Sequence, residues 1–112
     1  MAVTFTSSPF GSRGRTGALI ALRLLGESYP RELSRLLDMR LSATQKALHS
    51  LELDGLVVGR LMGRTRLYQL NPRYFAAGAL AAYLGRLAEP EEPFKARISA
   101  LRRRPRRAGK PL

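Results

Sequence analysis

The stretch that decides the fold is LSATQKALHSLELDGLVVGRLMGRTRLYQL, Leu41–Leu70. Its first part has apolar residues at the three- and four-residue spacing of an amphipathic helix over 42–54, and Gly55 ends it. Its second part contains two strand-like runs, and Gly63 between them suits the positive φ of a tight turn. The stretch therefore predicts a helix followed by a β-hairpin over 57–70.

Two further helices are predicted before this stretch. Apolar residues at helical spacing indicate a helix from Ser12 to Leu25, which ends at a glycine. Ser28 is the predicted N-cap of a second, short helix, with Pro30 in its first turn. Only a short turn separates that helix from the next one. Two such helices cross at a steep angle, as in a helix-turn-helix.

The helix over 42–54 has an outward face of mostly short hydrogen-bonding side chains, instead of the usual mixture of glutamate and lysine. The pattern SATQ at its start predicts a capping box, in which Ser42 and Gln45 satisfy free backbone donors. An ordinary solvated helix face is one interpretation of this pattern, and a surface that reads a ligand is the other. The outward positions are Ser42, Gln45, Lys46, His49 and Ser50.

After the hairpin, the sequence predicts a long helix from Arg73 to about Leu87 and a short helix from Phe94 to about Arg104. The segment EPEEP between them is interpreted as a spacer. The long helix has an apolar face wider than one small domain can cover, so we expect a dimer interface there. Packing of this face within its own domain is the alternative. The predicted interface residues are Phe75, Ala79, Leu80, Tyr83, Leu84 and Leu87.

The net charge of +12 is concentrated in three parts of the chain. Residues 11–26 carry +3, residues 57–75 carry +4 and residues 94–112 carry +8. Localised positive charge is expected of a protein that grips a polyanion, although a membrane surface or an acidic protein would also attract it. The C-terminal arginines are predicted to lie in a disordered tail that contacts phosphates or binds nucleic acid nonspecifically: Arg102, Arg103, Arg104, Arg106 and Arg107.

Several function classes are disfavoured by composition. The chain has no cysteine and one histidine, which excludes thiolate sites and metal sites built on histidine pairs. No catalytic arrangement, phosphate loop or cofactor motif is visible, so we expect neither an enzyme nor a cofactor. No apolar run approaches the roughly 20 residues that cross a bilayer, and the start lacks a signal peptide. We therefore expect a cytoplasmic protein without a membrane partner.

The segment HSLELDGLVVGRLMGRTRLYQLNP, His49–Pro72, resembles the end of the recognition helix and the wing of ArsR-type and MarR-type regulators. A leucine, an acid, a glycine and LV precede an arginine-rich hairpin and a strand that ends in Y-x-L. The resemblance covers about Ser12 to Leu87. It implies a winged helix-turn-helix, mainly α with a small β-hairpin (α+β). It also implies a homodimeric transcription regulator that places its third helix in the major groove of double-stranded DNA.

Site residues follow from the same resemblance. It implies that the base readers are Ser42, Gln45, Lys46 and His49, and that the backbone and wing contacts are Arg40, Arg60, Arg64 and Arg66. Glutamine pairs with adenine at two points and lysine donates to guanine, so these residue types suit the task. The cysteine pair of metal-sensing members is missing, and the family's arginine and histidine are replaced by Lys46 and Ala47. Neither metal sensing nor a target sequence is therefore implied.

The expected organisation is a flexible arm over 1–11, a winged helix-turn-helix over 12–72, C-terminal helices over 73–101 and a basic tail over 102–112. Two other functions remain open at this point. The winged helix could be an interaction module for a partner protein, or the tail could lead general binding to RNA or the nucleoid. The sequence identifies no small-molecule effector, although the space beside the long helix leaves room for one.

Overall fold

The computed structural model describes residues 4–103, which form five helices and a three-stranded antiparallel sheet. The predicted fold class, mainly α with a small β-hairpin, is confirmed. None of the helices in this part of the chain is both long and apolar enough to cross a bilayer. The elements are α1 Arg13–Leu25, β1 Glu27–Ser28, α2 Pro30–Leu37, α3 Leu41–Leu53, β2 Val57–Met62, β3 Thr65–Leu70, α4 Ala77–Ala88 and α5 Glu92–Arg103.

The sheet has the order β1-β3-β2, so the central strand is the second strand of the hairpin. The hairpin over 57–70 is confirmed, with Val57 paired to Leu70 and Met62 paired to Thr65. Strand β1 was not predicted, because two residues are too few to show an alternating pattern. It pairs with β3 through Ser28 and Tyr68 and fastens the wing to the segment between α1 and α2.

The core is built around α1, in which Leu19, Ile20 and Leu22 are at most 1% exposed. The helices after the hairpin share this core, since Leu84 of α4 and Phe94 of α5 belong to the same buried cluster. Residues 73–101 are therefore packed onto the winged helix-turn-helix and do not form a separate body.

The start of α2 differs from its prediction. Ser28 lies in β1, is 1% exposed and donates its hydroxyl to Glu32 Oε1 at 2.5 Å. Tyr29 occupies the N-cap position and its side chain makes no cap bond, while Pro30 is in the first turn as predicted. Ser28 thus forms a hydrogen bond with the side chain of Glu32, and it does not cap the free backbone N–H groups at the start of α2.

The predicted capping box at the start of α3 is wrong. The helix begins at Leu41, one residue earlier than predicted, so that Arg40 is the N-cap residue and Ser42 lies inside the first turn. No side chain caps this end of the helix. Ser42 and Gln45 are consequently left with exposed side chains.

The long helix starts later than predicted, at Ala77 instead of Arg73. Asn71 Oδ1 accepts from the backbone N of Arg73 at 2.9 Å, and the Asn71 carbonyl accepts from Tyr74 N at 3.2 Å. These two bonds hold residues 71–74 in turns. An asparagine side chain competes in this way with helical hydrogen bonds, so the helix starts later. Phe75 therefore lies in a turn and is 92% exposed.

Phe5 and Thr6 attach the described part of the N-terminal segment, for which a flexible arm was predicted, to α5 and the segment before it. The ring of Phe5 meets that of Phe94 edge to face, with centroids 5.1 Å apart. Thr6 N donates to Glu91 Oε2 at 2.8 Å, and Glu91 is only 7% exposed. The segment EPEEP is therefore more than a spacer, since one of its carboxylates anchors the N-terminal segment.

We expect α3 to depend on its buried face for stability. Leu48 is fully buried, so Leu48→Ala should lower the free energy of unfolding by about 2–5 kcal/mol. Leu53 on the same helix is 74% exposed, and Leu53→Ala should change the free energy of unfolding by no more than about 0.5 kcal/mol. Urea denaturation followed by circular dichroism measures both. Equal losses in the two variants would contradict the packing of α3 described here.

Candidate nucleic-acid interface

The outward face of α3 carries the four predicted base readers on exposed positions: Ser42, Gln45, Lys46 and His49. The opposite face is buried, with Thr44, Leu48 and Leu51 fully inaccessible to solvent. Within residues 4–103, none of these four side chains forms a hydrogen bond or an ion pair. Their donors and acceptors are therefore available to an external partner.

Ser50 is an exception among the outward polar residues of α3. It is half-buried, and its Oγ accepts a hydrogen bond from Arg15 Nη1. Arg15 also forms an ion pair with Asp54, with Nη2 2.7 Å from Oδ2. These bonds fasten the C-terminal end of α3 to α1, so Ser50 and Arg15 hold the helix in place and leave the outward face to the other residues.

The tip of the wing is a two-residue turn formed by Gly63 and Arg64, because Met62 and Thr65 are the last paired residues. Gly63 has a φ of +67°, as its position in the sequence predicted. Positive φ at the first of two central residues is typical of a type II′ turn, which keeps the hairpin narrow. Arg64 is exposed at this tip and forms no ion pair with any residue in the described range.

The other two wing arginines lie on opposite faces of the hairpin. Arg60 is paired in register with Leu67, and Arg66 is paired with Leu61. Because neighbouring residues of a strand point to opposite faces, Arg60 and Leu61 are on different sides, and Arg66 shares the side of Leu61. The alternation therefore does not give a single row of three arginines.

Both of these arginines are paired with carboxylates. Arg60 Nη2 is 3.5 Å from Glu27 Oε1, and Arg66 Nη2 is 3.1 Å from Glu52 Oε2. The guanidinium carbon of Arg66 also lies 5.7 Å from the ring centroid of Tyr68. The side chain of Tyr68 and, to a smaller extent, the charge of Glu52 raise the pKa of Arg66 above its ordinary value. Tyr68 itself is 7% exposed, so it is a core residue of β3.

A cleft of about 1010 Å³ connects α3 with the wing. Its walls come from α2, the first turns of α3, the wing and the last turn of α5, and Gln45 and Arg64 both line it. Two glutamates, Glu27 and Glu32, also line it. The cleft is strongly cationic because six arginines contribute to it: Arg31, Arg35, Arg60, Arg64, Arg66 and Arg102.

Sequence reasoning missed the contribution of α2 to this cleft. Arg31 and Arg35 are four residues apart and exposed, so they share one face of the helix. A helix-turn-helix places its first helix across the nucleic-acid backbone, so exposed arginines on α2 could have been predicted to contact phosphates. The glutamate at position 32 hides this pattern in the sequence, because it makes the charge of α2 appear mixed.

Arg40 and the C-terminal arginines are the remaining predicted contacts, and they do not all line the cleft. Arg40 is exposed at the N-cap of α3 but does not line the cleft. Arg102 belongs to α5 rather than to a disordered tail, and Arg103 is the last residue of that helix. The other predicted tail contacts, Arg104, Arg106 and Arg107, lie outside the described residues.

The predicted dimer residues divide by exposure. Phe75, Ala79 and Tyr83 are exposed, and Leu80 and Leu87 are half-buried. Leu84 is fully buried in the core of its own chain and is not available to a partner, because the inner face of α4 packs on α1. Ala82 is also exposed, so the outer side of α4 is a stripe of small and apolar residues.

Neither a family model nor a curated protein matches the chain, but solved structures do. Reduced HlyU from Vibrio cholerae is 29% identical, with 70% of this chain and 76% of that chain covered and a TM-score of 0.58. Adhesin competence repressor (AdcR) from Streptococcus pyogenes is 17% identical, with coverage of 78% and 64% and a TM-score of 0.60. A MarR family transcriptional regulator from Silicibacter pomeroyi is 22% identical, with coverage of 79% and 60% and a TM-score of 0.54.

These similarities agree with the architecture of the chain. Three helices, a hairpin and a short strand that completes the sheet form a winged helix-turn-helix, the fold that the chain shares with these proteins. The match with the Silicibacter pomeroyi protein spans 60% of the length of that chain. Among the described residues, no group of three or more histidine, aspartate or glutamate side chains is placed to hold a metal ion.

Proposed function

We propose that this chain, which shares the winged helix-turn-helix fold of HlyU and of a MarR family regulator, is a sequence-specific transcription regulator that binds double-stranded DNA as a homodimer. Helix α3 enters the major groove and the wing contacts the backbone or minor groove. This function requires a cytoplasmic location.

The proposal rests on one observation: the outward face of α3 borders a cleft that is lined by arginines. Gln45 projects from α3 and Arg64 from the wing, and both line the same cleft. Phosphates bind at such arginines and fix the register of the protein, whereas base edges are read by the side chains of the inserted helix. A duplex that fills the cleft therefore brings α3 to the bases and the wing tip to the adjacent groove.

The proposal assigns separate tasks to the exposed side chains. Gln45 and Lys46 make base-edge contacts, because they are the α3 residues able to pair at two points or donate to guanine. Ser42 lies in the first turn of α3, where free amides and the helix dipole favour a phosphate. Arg64 occupies the narrow wing tip, where an arginine responds to the width of the minor groove.

The homodimer is supported by the outer side of α4. Phe75 is 92% and Tyr83 46% exposed, and the exposed residues between them are small. A contiguous apolar patch left in water is more informative than a single exposed apolar residue, and such patches mark protein interfaces. Two-fold symmetry then requires a roughly palindromic site, with half-sites about 34 Å apart.

Selection from a randomised duplex library tests this function directly. The pure chain is used to enrich duplexes, and the selected and scrambled sequences are compared by fluorescence anisotropy at two salt concentrations. A palindromic motif supports the proposal. Binding of single-stranded RNA in preference to every duplex, or no enrichment at all, would contradict it and would direct the search to RNA or to a protein partner.

Removal of the wing-tip charge should weaken binding and leave unchanged the base preferences that the α3 side chains set. Arg64→Ala should lower the slope of log affinity against log salt by about 0.9, because one phosphate contact is lost. Arg73 is the matched control, since it is exposed and does not line the cleft, and Arg73→Ala should leave the slope unchanged. Equal slopes for the two variants would remove Arg64 from the interface.

A further inference from the structure

Two carboxylates lie inside the cleft that the proposed function assigns to DNA. Glu27 Oε1 is 3.5 Å from Arg60 Nη2, and Glu32 Oε1 is 3.4 Å from Arg102 Nη2. Arg102 Nη2 also donates to the backbone carbonyl of Glu27 at 3.2 Å. A cleft shaped for a polyanion thus already contains two anionic groups, each placed on an arginine that a phosphate would use.

The Glu32 carboxylate is held in a defined position. Its side chain is only 19% exposed, and the same oxygen accepts a hydrogen bond from the hydroxyl of the buried Ser28. Two surface carboxylates outside the cleft, Glu89 and Glu92, differ from Glu32, because they are 64% and 78% exposed and pair with neighbours on their own segment. Glu32 is therefore a built part of the cleft wall.

Helix α5 contributes the arginine that Glu32 holds. Arg97 Nη2 donates to the carbonyl of Arg35 at 2.7 Å and fastens α5 to α2. One turn further along, Arg102 reaches Glu32 and the carbonyl of Glu27. The last turn of α5 is therefore a third wall of the cleft, beside α2 and the wing.

We propose that Glu27 and Glu32 are internal competitors of DNA phosphate for Arg60 and Arg102, and that they lower the affinity of the cleft for nonspecific duplex. This inference rests on the proposed function. Carboxylate and phosphate oxygens are equivalent acceptors for a guanidinium, so a phosphate that enters must displace a carboxylate and approach its negative charge. The two arginine side chains are 55% and 39% exposed and the contacts are 3.5 and 3.4 Å long, and pairs this open and this long are weak enough to allow the exchange.

The competition acts on the sequence-independent part of binding. Phosphate contacts carry no sequence information, whereas the α3 side chains that read bases have no carboxylate partner among the described residues. Glu27 and Glu32 therefore weaken the phosphate contacts, which specific and nonspecific complexes share, and leave the base-edge contacts intact. The protein consequently leaves nonspecific sites faster, while the ratio of specific to nonspecific affinity stays set by the α3 side chains.

The test uses charge-neutral replacements in the full-length chain. Glu32→Gln and Glu27→Gln keep an oxygen that accepts from Ser28 or an arginine, and they remove the negative charge. Each should tighten binding to a scrambled 20-base-pair duplex about fivefold and steepen the salt slope by up to about 0.9, because one arginine neutralises a phosphate without leaving a bare carboxylate. Glu89→Gln is the control, with the same charge change outside the cleft, and it should alter affinity less than about twofold.

A second variant shows whether the gain passes through Arg102. In the combined Glu32→Gln and Arg102→Gln chain, the gain in affinity and slope should disappear, while thermal unfolding verifies that each variant is folded. The inference is overturned if Glu32→Gln gains no more than Glu89→Gln, or if the gain survives without Arg102. Either result leaves the proposed function standing as long as the wild-type chain binds duplex, whereas no duplex binding even at low salt overturns both.

Discussion

Replacing both Gln45 and Lys46 with alanine should reduce the preference for the selected duplex over a scrambled one by on the order of 10²-fold. Each good two-point contact to a base contributes about 1–3 kcal/mol of discrimination, and both side chains are exposed on the outward face of α3. Affinity for the scrambled duplex should fall only slightly, since a single positive charge is removed. Competition anisotropy with the two duplexes measures the ratio.

The control for this variant is Lys95→Ala. It removes the same charge from a lysine of α5, which pairs with Glu92 and does not line the cleft. Its specificity ratio should equal that of the wild type. If the double variant keeps the wild-type ratio as well, Gln45 and Lys46 do not read bases, and sequence preference must come from other side chains or from DNA shape.

The hairpin could be predicted in detail because its signals are local. A glycine between two strand-like runs fixed the turn, and Gly63 has the positive φ that this position requires. The outward face of α3 was equally accessible, since helical spacing separates Leu48 and Leu51 from Gln45 without knowledge of the fold. Both features depend on residues that are close in sequence.

Helix ends were less predictable, because several residues compete for one role. Ser28 was a plausible cap, but its hydroxyl bonds Glu32 once β1 pairs with β3. The long helix was expected to start at Arg73, yet the side chain of Asn71 forms a turn with Arg73. In both cases a tertiary or side-chain bond outweighs a cap preference of only about 1 kcal/mol.

The cleft could not be predicted, because its walls come from elements distant in sequence. Arg31 and Arg102 are separated by 71 positions, and only the packing of α5 on α2 brings them to one cleft. The carboxylates of Glu27 and Glu32 likewise acquire a role only through these neighbours. Charge summed along the chain indicated a polyanion partner but not the surface that binds it.

Introducing a charge on the outer side of α4 should dissociate the proposed dimer and produce the largest loss of DNA affinity. Ala79 is exposed between Phe75 and Tyr83. In a two-fold interface each subunit contributes the same residue, so Ala79→Glu adds two carboxylates to the apolar contact. The variant should be monomeric by light scattering. Its affinity for the palindromic duplex should fall by about 10²–10⁴-fold, because linking two half-site contacts raises avidity by that factor.

Two comparisons separate dimerisation from damage to the reading surface. Ala79→Ser adds a hydroxyl without a charge and should remain dimeric with wild-type affinity. The Ala79→Glu monomer should bind a duplex that contains one half-site as tightly as a single wild-type subunit does, because Ala79 is on α4 and does not line the cleft. A dimeric Ala79→Glu chain would place the interface elsewhere. A monomer with undiminished affinity for the palindrome would mean that each subunit binds independently, and the palindromic spacing would lose its structural basis.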